Sequence, residues 1–326
     1  MKFELSEALE AREPPEARGL TRDGVRLMVS APGTVTHTRF TELPSLLHPG
    51  DLLVVNNSRT IPAAVRTGNA EVHFSGQLPD GAWLAEFRQA AGKTSVHNDG
   101  AVPPSAVELP DGAKLTVGDQ FSARLWKVRL STPVMPYLAR HGFPIRYSYA
   151  ADGQWPLTAY QTVFGTVPGS AEMPSAARPF TPAMVTALVN QGVTIAPITL
   201  HCGVSSHQAG EDPYPEWFSV PAATARLVSL AKASGRRVIA AGTTVVRALE
   251  TTGGAAGEGW TSHVVTAATG VSVLDGLLTG LHEPEASHLR MLAAFHSPSL
   301  LGRCYSEALD RRYLWHEFGD VHLLLP

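Results

Sequence analysis

The stretch Val238 to Glu250 constrains the fold more than any other part of the chain. It reads Val-Ile-Ala-Ala-Gly-Thr-Thr-Val-Val-Arg-Ala-Leu-Glu. The apolar run predicts a buried strand, Gly242 permits a tight turn, and the spacing that follows is helical. Thr243 or Thr244 can cap this helix, and the free N–H groups at its start suit a carboxylate or a phosphate. The stretch therefore predicts a strand–turn–helix corner of an α/β protein, which is a candidate ligand site although most such corners bind nothing.

Composition narrows the class of protein. The 326 residues suffice for one large domain or two ordinary ones, and 44% hydrophobic against 17% charged residues is typical of a globular chain. No apolar run approaches the roughly 20 residues that cross a bilayer, and the acidic start does not resemble a signal peptide, so we expect a cytoplasmic protein with no membrane partner. The formal charge of −3 disfavours an RNA partner without excluding it. Cys202 and Cys304 are expected to be free buried thiols.

The region between Val65 and Leu130 differs in pattern from the rest. It contains short strand candidates separated by turns such as Pro79-Asp80-Gly81, and no convincing helix interrupts them. This pattern predicts a small all-β module, a barrel, inserted into a larger domain. The predicted organisation is a discontinuous α/β main domain, residues 1–64 and 131–326, with a mixed sheet or barrel and flanking helices, and an inserted β-barrel domain, residues 65–130.

Local signals place other elements of the main domain. Thr181 followed by a proline predicts the start of a helix over Ala183 to Gln191. The glycines from Gly253 to Gly259 predict a mobile loop and not a phosphate cradle, because no Lys or Ser/Thr follows at the spacing of a P-loop. A strand is predicted near His263 to Thr266.

Polar residues recur where the predicted strands end. The strand Leu52 to Asn56 ends in Asn56 and is followed by Ser58 and Arg59, and the strand Val193 to His201 ends in His201. The corner Gly242 to Thr244 follows a third strand, and His282 ends the apolar stretch that begins at Leu277. Because α/β folds place binding groups at strand ends, these side chains are expected to line a pocket at one edge of a sheet. The alternatives stay open: a turn stabilised by Asn and Ser, structural hydrogen-bonding histidines, and solvated loop acids at Glu216 and Asp320.

A metal site is not expected. The chain has 13 histidines, and the densest local pattern is His282 to His288. Its two histidines are too far apart for one helical turn, and Pro284 prevents the helix that would align them. A Gly-x-Ser-x-Gly elbow, a dinucleotide fingerprint and a paired Cys-x-x-Cys are also missing from the sequence.

A series of motifs in order resembles one known family. The motifs are Gly50-Asp-Leu-Leu-Val-Val-Asn-Asn-Ser-Arg-Thr-Ile-Pro62, Tyr160-Gln-Thr-Val163, Pro168-Gly-Ser170, Phe180-Thr181, Thr199-Leu-His-Cys-Gly203, Val238 to Glu250, and Phe318-Gly-Asp320. Over nearly the whole chain they resemble the S-adenosylmethionine:tRNA ribosyltransferase-isomerase family of the queuosine pathway. The resemblance implies an α/β main domain with an inserted β-barrel.

The resemblance also implies a reaction. S-adenosylmethionine is a substrate, no cofactor is permanently bound, and the acceptor is a 7-aminomethyl-7-deazaguanine in tRNA. The ribosyl part of S-adenosylmethionine is transferred and rearranged to an epoxy-cyclopentane, with release of adenine and methionine. The sulfonium charge acidifies the neighbouring C5′ hydrogens, so a positioned base can start the reaction and an acid can help adenine to leave.

Site roles are assigned on this chemistry. Arg59, Thr243 and Thr244 are expected to bind an anion, since the methionine carboxylate suits an arginine or a helix start. His201 and His282 are assigned to proton transfer, and Glu216, the third catalytic candidate, to the ammonium or ribose hydroxyls. The other motif positions are expected to bind substrate: Asn56, Ser58, Tyr160, Gln161, Ser170, Thr181, Gly203, Gly242, Arg247 and Asp320.

The chain departs from the family pattern at polar positions. Asn57 stands where the family has an aspartate, and Pro179 and Tyr214 stand where it has histidines. These departures leave open a divergent paralogue that uses S-adenosylmethionine with a different small-molecule acceptor or reaction, or a non-catalytic protein that binds S-adenosylmethionine.

Overall fold

The fold is described from a computed structural model that covers residues 3–98, 101–147, 149, 153–204, 212–284 and 286–326. The strands are β1 Arg26–Ala31, β2 Thr34–Arg39, β3 Leu52–Asn56, β4 Ser58–Thr60, β5 Ala64–Thr67, β6 Ala70–Gln77, β7 Trp83–Ala91, β8 Thr94–His97, β9 Ala106–Glu108, β10 Lys114–Gln120, β11 Leu125–Leu130, β12 Val167–Ser170, β13 Thr194–Leu200, β14 Glu216–Val220, β15 Val238–Ala241, β16 Gly257–Thr261, β17 Gly276–Gly280 and β18 Val321–Leu324. The helices are α1 Leu43–Leu46, α2 Val134–His141, α3 Pro182–Asn190, α4 Ala222–Ala233, α5 Thr243–Thr252, α6 Ser287–Leu292 and α7 Pro298–Asp310. Before β1 the chain contains two short 3-10 turns, Glu7–Leu9 and Pro15–Arg18.

A large mixed sheet forms the centre of the molecule. Within the described residues its strand order is β16-β14-β13-β3-β15-β17-β18-β1-β2. The neighbours β13, β3, β15 and β17 run parallel, whereas β14, β16, β18 and β2 each form an antiparallel pair. Because neighbouring parallel strands end at the same edge, the chain leaves β13, β3, β15 and β17 on one side of the sheet.

The middle strands are apolar throughout because both faces of this sheet are covered. In β3, Leu52 and Val54 pack into a core that contains α4, α5 and α7. The alternate residues Leu53 and Val55 pack into a second core with α1 and α3 on the opposite face. Side chains of a strand alternate between faces, so a continuous apolar run is what a strand between two helical layers requires.

A second, antiparallel sheet is built from β5 to β11. Its order is β5-β6-β7-β11-β10-β9, with β8 paired to β7. The sheet curls so far that its two outer strands touch: the Thr67 hydroxyl on β5 donates to the Glu108 carbonyl on β9 at 2.8 Å. Among the described residues, no backbone ladder joins these two strands. The apolar residues inside the curl form their own core, which includes Val72, Phe74 and Leu115.

Three features of the large sheet differ from the sequence-based expectations. The predicted mobile loop from Gly253 to Gly259 contains the start of β16, and the strand expected near His263 to Thr266 is wrong. Glu216, expected in a loop, is the first residue of β14. β16 is the edge strand of the sheet and pairs with β14, with Trp217 opposite Trp260. None of the helices in the described ranges is long and apolar enough to cross a membrane.

Candidate functional site

A cavity of about 640 Å³ opens where the parallel strands end. Gly203, Gly242 and His282, which follow β13, β15 and β17, lie in one wall. Arg88 and His97, from β7 and β8 of the curled sheet, belong to the opposite wall. The cavity therefore lies between the two sheets, and its volume is within the range of about 300–1,000 Å³ that is typical of small-molecule sites.

Helix α5 begins at the cavity without a side-chain cap. Gly242 occupies the N-cap position with φ 108° and ψ 152°, and it has no side chain to cap the helix. Thr243 and Thr244 are the first two helical residues, so the expectation that one of them caps α5 is wrong. All three residues line the cavity. The positive end of the helix dipole and the N–H groups of the first turn are thus available to an anion there.

An ion pair between Glu216 and Arg247 lies beside this helix start. An Arg247 Nη1–H donates to the Glu216 carboxylate, and the Gly203 N–H donates to its other oxygen at 2.9 Å. Arg247 also donates to the carbonyls of Tyr214 and Thr261, at 3.1 Å and 3.0 Å. Burial raises the pKa of Glu216, although Arg247 and the Gly203 amide oppose the change. The carboxylate is thus held in place but costly to keep charged, and an approaching cation would stabilise it.

His282 lies in the cavity wall as a neutral imidazole. Its ring stacks on His288, with centroids 4.6 Å apart, and its Nε2 lies 2.8 Å from the Thr279 hydroxyl oxygen. Burial, and then the nearby His288 and His322, lower the pKa of His282 well below its usual 6.5. The backbone is anchored as well, because the Trp315 Nε1–H donates to the His282 carbonyl at 3.0 Å. A neutral, oriented imidazole can accept a proton at pH 7.

The cavity wall is rich in carboxyl groups and in unsatisfied polar atoms. Glu172, Glu283 and Glu317 line the cavity in addition to Glu216, against the two arginines Arg88 and Arg247. Burial also raises the pKa of Glu317. Several lining residues carry a buried polar atom with no hydrogen-bond partner among the described residues: Thr60 Oγ1, Tyr160 OH, Ser287 Oγ and His316 Nε2. Because an unpaired buried polar atom costs about 1–3 kcal/mol, such a group of atoms is typical of a site completed by a ligand or by water.

Four of the residues assigned from the sequence form a hydrogen-bonded network behind the wall and do not line the cavity. The Asn56 amide bonds to both the N–H and the C=O of Leu200, at 3.1 Å and 2.8 Å, and so joins β3 to β13. The Ser58 hydroxyl lies 2.6 Å from that of Ser170 and 2.7 Å from His201 Nδ1. Burial lowers the pKa of His201 to about 4. His201, expected to transfer a proton, is thus placed in the scaffold of the site.

Other assigned residues have local structural partners outside the cavity. Arg59 is exposed on β4, which does not fit a role in binding an anion inside this cavity. The Gln161 amide bonds to the backbone N–H and C=O of Thr60. Thr181 caps α3, as the Thr-Pro pattern predicts. Asp320 accepts from Arg26 and from the Leu314 N–H. The assigned residues that do line the cavity are Tyr160, Gly203, Glu216, Gly242, Thr243, Thr244, Arg247 and His282.

Some lining residues were missed from the sequence. Glu317 and His316 directly precede the Phe-Gly-Asp motif, and Tyr214 lies two residues before Glu216, so proximity to a motif was the available signal. Arg88 and His97 gave no signal, because nothing in their strands indicates which face meets the main sheet. Among the described residues, which omit Asp99, Asp152, His207, Glu211 and Glu285, no group of three or more His, Cys, Asp or Glu side chains could hold a metal ion.

Comparisons with known proteins agree on one family. Residues 1–324 match the family of queuosine biosynthesis proteins. A protein of Chlorobium luteolum named S-adenosylmethionine:tRNA ribosyltransferase-isomerase is 32% identical over 99% of this chain and 98% of its own length. A protein of the same name from Thiobacillus denitrificans is 33% identical over 99% of this chain and 95% of its own length. The crystal structure of the S-adenosylmethionine tRNA ribosyltransferase from Thermotoga maritima aligns with a TM-score of 0.56 and 26% identity over 99% of both chains.

These matches extend over the whole length of the relatives, and they include both sheets that form the cavity. The chain therefore belongs to the queuosine biosynthesis protein family, whose members compared above are named S-adenosylmethionine:tRNA ribosyltransferases.

Proposed function

We propose that this protein is an S-adenosylmethionine:tRNA ribosyltransferase-isomerase. It transfers the ribosyl part of S-adenosylmethionine to the aminomethyl group of a 7-deazaguanine in tRNA, and it releases adenine and methionine. The observation that carries the proposal is a single cavity lined both by the uncapped start of α5 and by several carboxyl groups, of which burial raises the pKa of Glu216 and Glu317. S-adenosylmethionine combines a carboxylate with an ammonium and a sulfonium, so it needs an anion site and a cation site in one pocket.

The start of α5 binds the methionine carboxylate. The N–H groups of Thr243 and Thr244 and the helix dipole supply the positive potential that a carboxylate requires. Glu216 lies close by and binds the ammonium or the sulfonium. A cation beside this half-buried carboxylate lowers the free energy of its charged form. Arg247 orients Glu216 and does not bind the carboxylate itself, because its donors are engaged with Glu216 and with backbone carbonyls.

His282 acts as the base that removes a C5′ proton beside the sulfonium. Its neutral state at pH 7 leaves one ring nitrogen unprotonated, and its stacking on His288 fixes the plane of the ring. The Thr279 hydroxyl holds Nε2, which selects the orientation of the imidazole. His201 has no part in this step.

The acceptor enters from the side of the curled sheet. Residues 65–130 form an inserted small β-barrel domain, and residues 1–64 and 131–326 form the main domain. Two observations support this division: the apolar core of the curled sheet is distinct from the two cores of the large sheet, although α2 also packs into it, and the two outer strands of the curled sheet are in contact. Arg88 and His97 lie in this wall of the cavity, on the side from which the acceptor enters. With tRNA as acceptor, the protein acts in the cytoplasm.

Replacement of the base tests the proposal. Purified protein is incubated with S-adenosylmethionine and with tRNA that carries 7-aminomethyl-7-deazaguanine, and adenine and methionine are measured by mass spectrometry. The wild type should release both in equal amounts. His282→Gln should lower kcat roughly 100-fold or more while the KM for S-adenosylmethionine changes little, since a general base contributes about 10²–10⁴-fold. The matched control His48→Gln alters an exposed histidine and should behave as wild type.

Two results would count against the proposal. Wild-type protein that binds S-adenosylmethionine but releases no adenine with this tRNA would refute the transferase activity. An active His282→Gln variant would refute only the role of His282.

A further inference from the structure

Tyr214 contacts both walls of the cavity. It lies two residues before β14, and its carbonyl accepts from Arg247, which holds Glu216. On the other side its hydroxyl oxygen accepts from Arg124 Nε at 3.2 Å, and the Arg124 guanidinium lies over its ring, 5.6 Å from the centroid. One residue thus connects the main sheet to the turn that precedes β11 of the curled sheet.

The contact at Arg124 continues into the cavity wall of the curled sheet. Arg124 Nη1 donates to Glu86 at 3.2 Å, and Arg88 Nη1 and His97 Nδ1 meet the same carboxylate oxygen at 3.2 Å and 2.9 Å. Glu86 is buried, and its hydrogen bond with His97 and its attraction to the arginines hold its pKa below the usual value despite that burial. A displacement of Arg124 would therefore disturb Arg88 and His97, which line the cavity.

The backbone at Tyr214 is restrained by its neighbours. Pro213 fixes its own φ, and Pro215 disfavours the helical conformation at the residue before it. The aromatic ring has few rotatable bonds, so the link between the two sheets is a short, stiff one.

We propose that Tyr214 is a positioning residue that sets the separation of the two cavity walls and thereby the affinity for the tRNA acceptor. The inference rests on the proposed function, because it assigns the wall of the curled sheet to the acceptor. A wall held in its bound position lowers the ordering cost of binding.

A double-mutant cycle tests the inference. Tyr214→Phe removes only the hydroxyl, and Arg124→Lys keeps a charge near Glu86 but has no Nε–H to donate. Each change should raise the KM for tRNA roughly tenfold, while kcat and the KM for S-adenosylmethionine stay within about twofold. The double variant should lose no more than the worse single variant, because both changes break one interaction.

Matched controls come from the same region. Tyr137→Phe removes a hydroxyl that donates to the Pro110 carbonyl at 3.0 Å, away from the cavity lining. Arg129→Lys alters an exposed arginine of β11 that pairs with Asp80. Both controls should keep the wild-type KM for tRNA.

The link is also measured without turnover. Amide hydrogen exchange in β11 should be faster in Tyr214→Phe than in the wild type and unchanged in Arg129→Lys. A wild-type KM for tRNA in Tyr214→Phe, additive effects in the cycle, or unchanged exchange in β11 would each overturn the inference. A wild type without any transferase activity would instead refute the proposed function, and the exchange measurement would then decide alone whether Tyr214 links the sheets.

Discussion

His201 and His282 lie at the same edge of the large sheet but have different roles. Both follow parallel strands, and burial lowers the pKa of both. His201 is enclosed by Ser58 and by Trp217, on which it stacks with centroids 5.2 Å apart, whereas His282 lines the cavity. The sequence identifies both as strand-end histidines. It cannot choose between them, because the choice depends on which neighbouring segments cover each ring.

Asp320 is expected to support the fold and not the substrate. Its carboxylate is 5% exposed and accepts from the Arg26 side chain and from two backbone amides. Asp320→Asn should lower the free energy of unfolding by about 1–3 kcal/mol in a urea titration, because it weakens hydrogen bonds from a charged guanidinium and from two backbone amides to a buried carboxylate. The KM for S-adenosylmethionine should not change.

A surface control separates this effect from loss of charge alone. Asp80 pairs with Arg129 while 59% exposed, so Asp80→Asn should cost less than about 1 kcal/mol. A stable Asp320→Asn variant with a raised KM would show instead that Asp320 binds substrate.

At the scale of elements, the strand–turn–helix at Val238 to Glu250 was predictable because its signal is local. The apolar run, Gly242 and the helical spacing are all contained in one short stretch, and they give β15 and α5. β14 and β16 were not predictable in the same way. β16 reads Gly-Glu-Gly-Trp-Thr, which is typical of a loop, and it becomes a strand only by pairing with β14. That information is non-local.

Gly242 is expected to be essential for the anion site. Its φ of 108° and ψ of 152° belong to a region that only glycine adopts readily, so Gly242→Ala should cost about 1–3 kcal/mol or shift the start of α5. The KM for S-adenosylmethionine should rise roughly tenfold or more, since about 1.4 kcal/mol of lost binding energy suffices for that change.

The opposite end of α5 provides the control. Gly253 has a left-handed φ of 60°, and an added Cβ there would meet nothing within 4 Å. Gly253→Ala should cost about 1–2 kcal/mol of stability and leave the KM unchanged. Equal KM values for S-adenosylmethionine in the two variants would show that the start of α5 does not bind this substrate.

At the scale of the whole molecule, the sequence predicts the α/β class and the strand-rich region of residues 65–130. It does not predict how the two sheets are positioned relative to each other. Their relative position depends on contacts such as the one between Ser75 and Val204, 129 residues apart. The departures at Asn57, Pro179 and Tyr214 left a different acceptor or a non-catalytic role open. The full-length relatives carry the enzyme's name, and no feature among the described residues favours those alternatives. Asn57 accepts a hydrogen bond from the Thr199 hydroxyl.

Stability is expected to fall in mild acid. Burial lowers the pKa of His201 and His316 to about 4 and contributes most to lowering that of His322 to about 3, from an ordinary value of 6.5. The unfolded chain therefore takes up protons that the folded chain resists, so the stabilisation is complete above pH 6.5 and is lost as the pH falls toward 4. His201 alone contributes on the order of 3 kcal/mol to this loss.

Melting temperatures between pH 7.5 and pH 4 measure the effect. His201→Gln should flatten part of the slope, and the exposed control His48→Gln should not. A melting temperature that stays constant over this range would contradict the prediction.

The order of strands in the large sheet bears on how the protein is made. β1, near the start of the chain, pairs in parallel with β18, whose last residue is Leu324, and β18 also pairs with β17. During translation, the β1–β2 hairpin therefore leaves the ribosome long before the strand that joins it to the rest of the sheet. The nascent chain must keep an apolar edge of β1 unpaired until β18 has been synthesised, which makes this interval the one most exposed to aggregation.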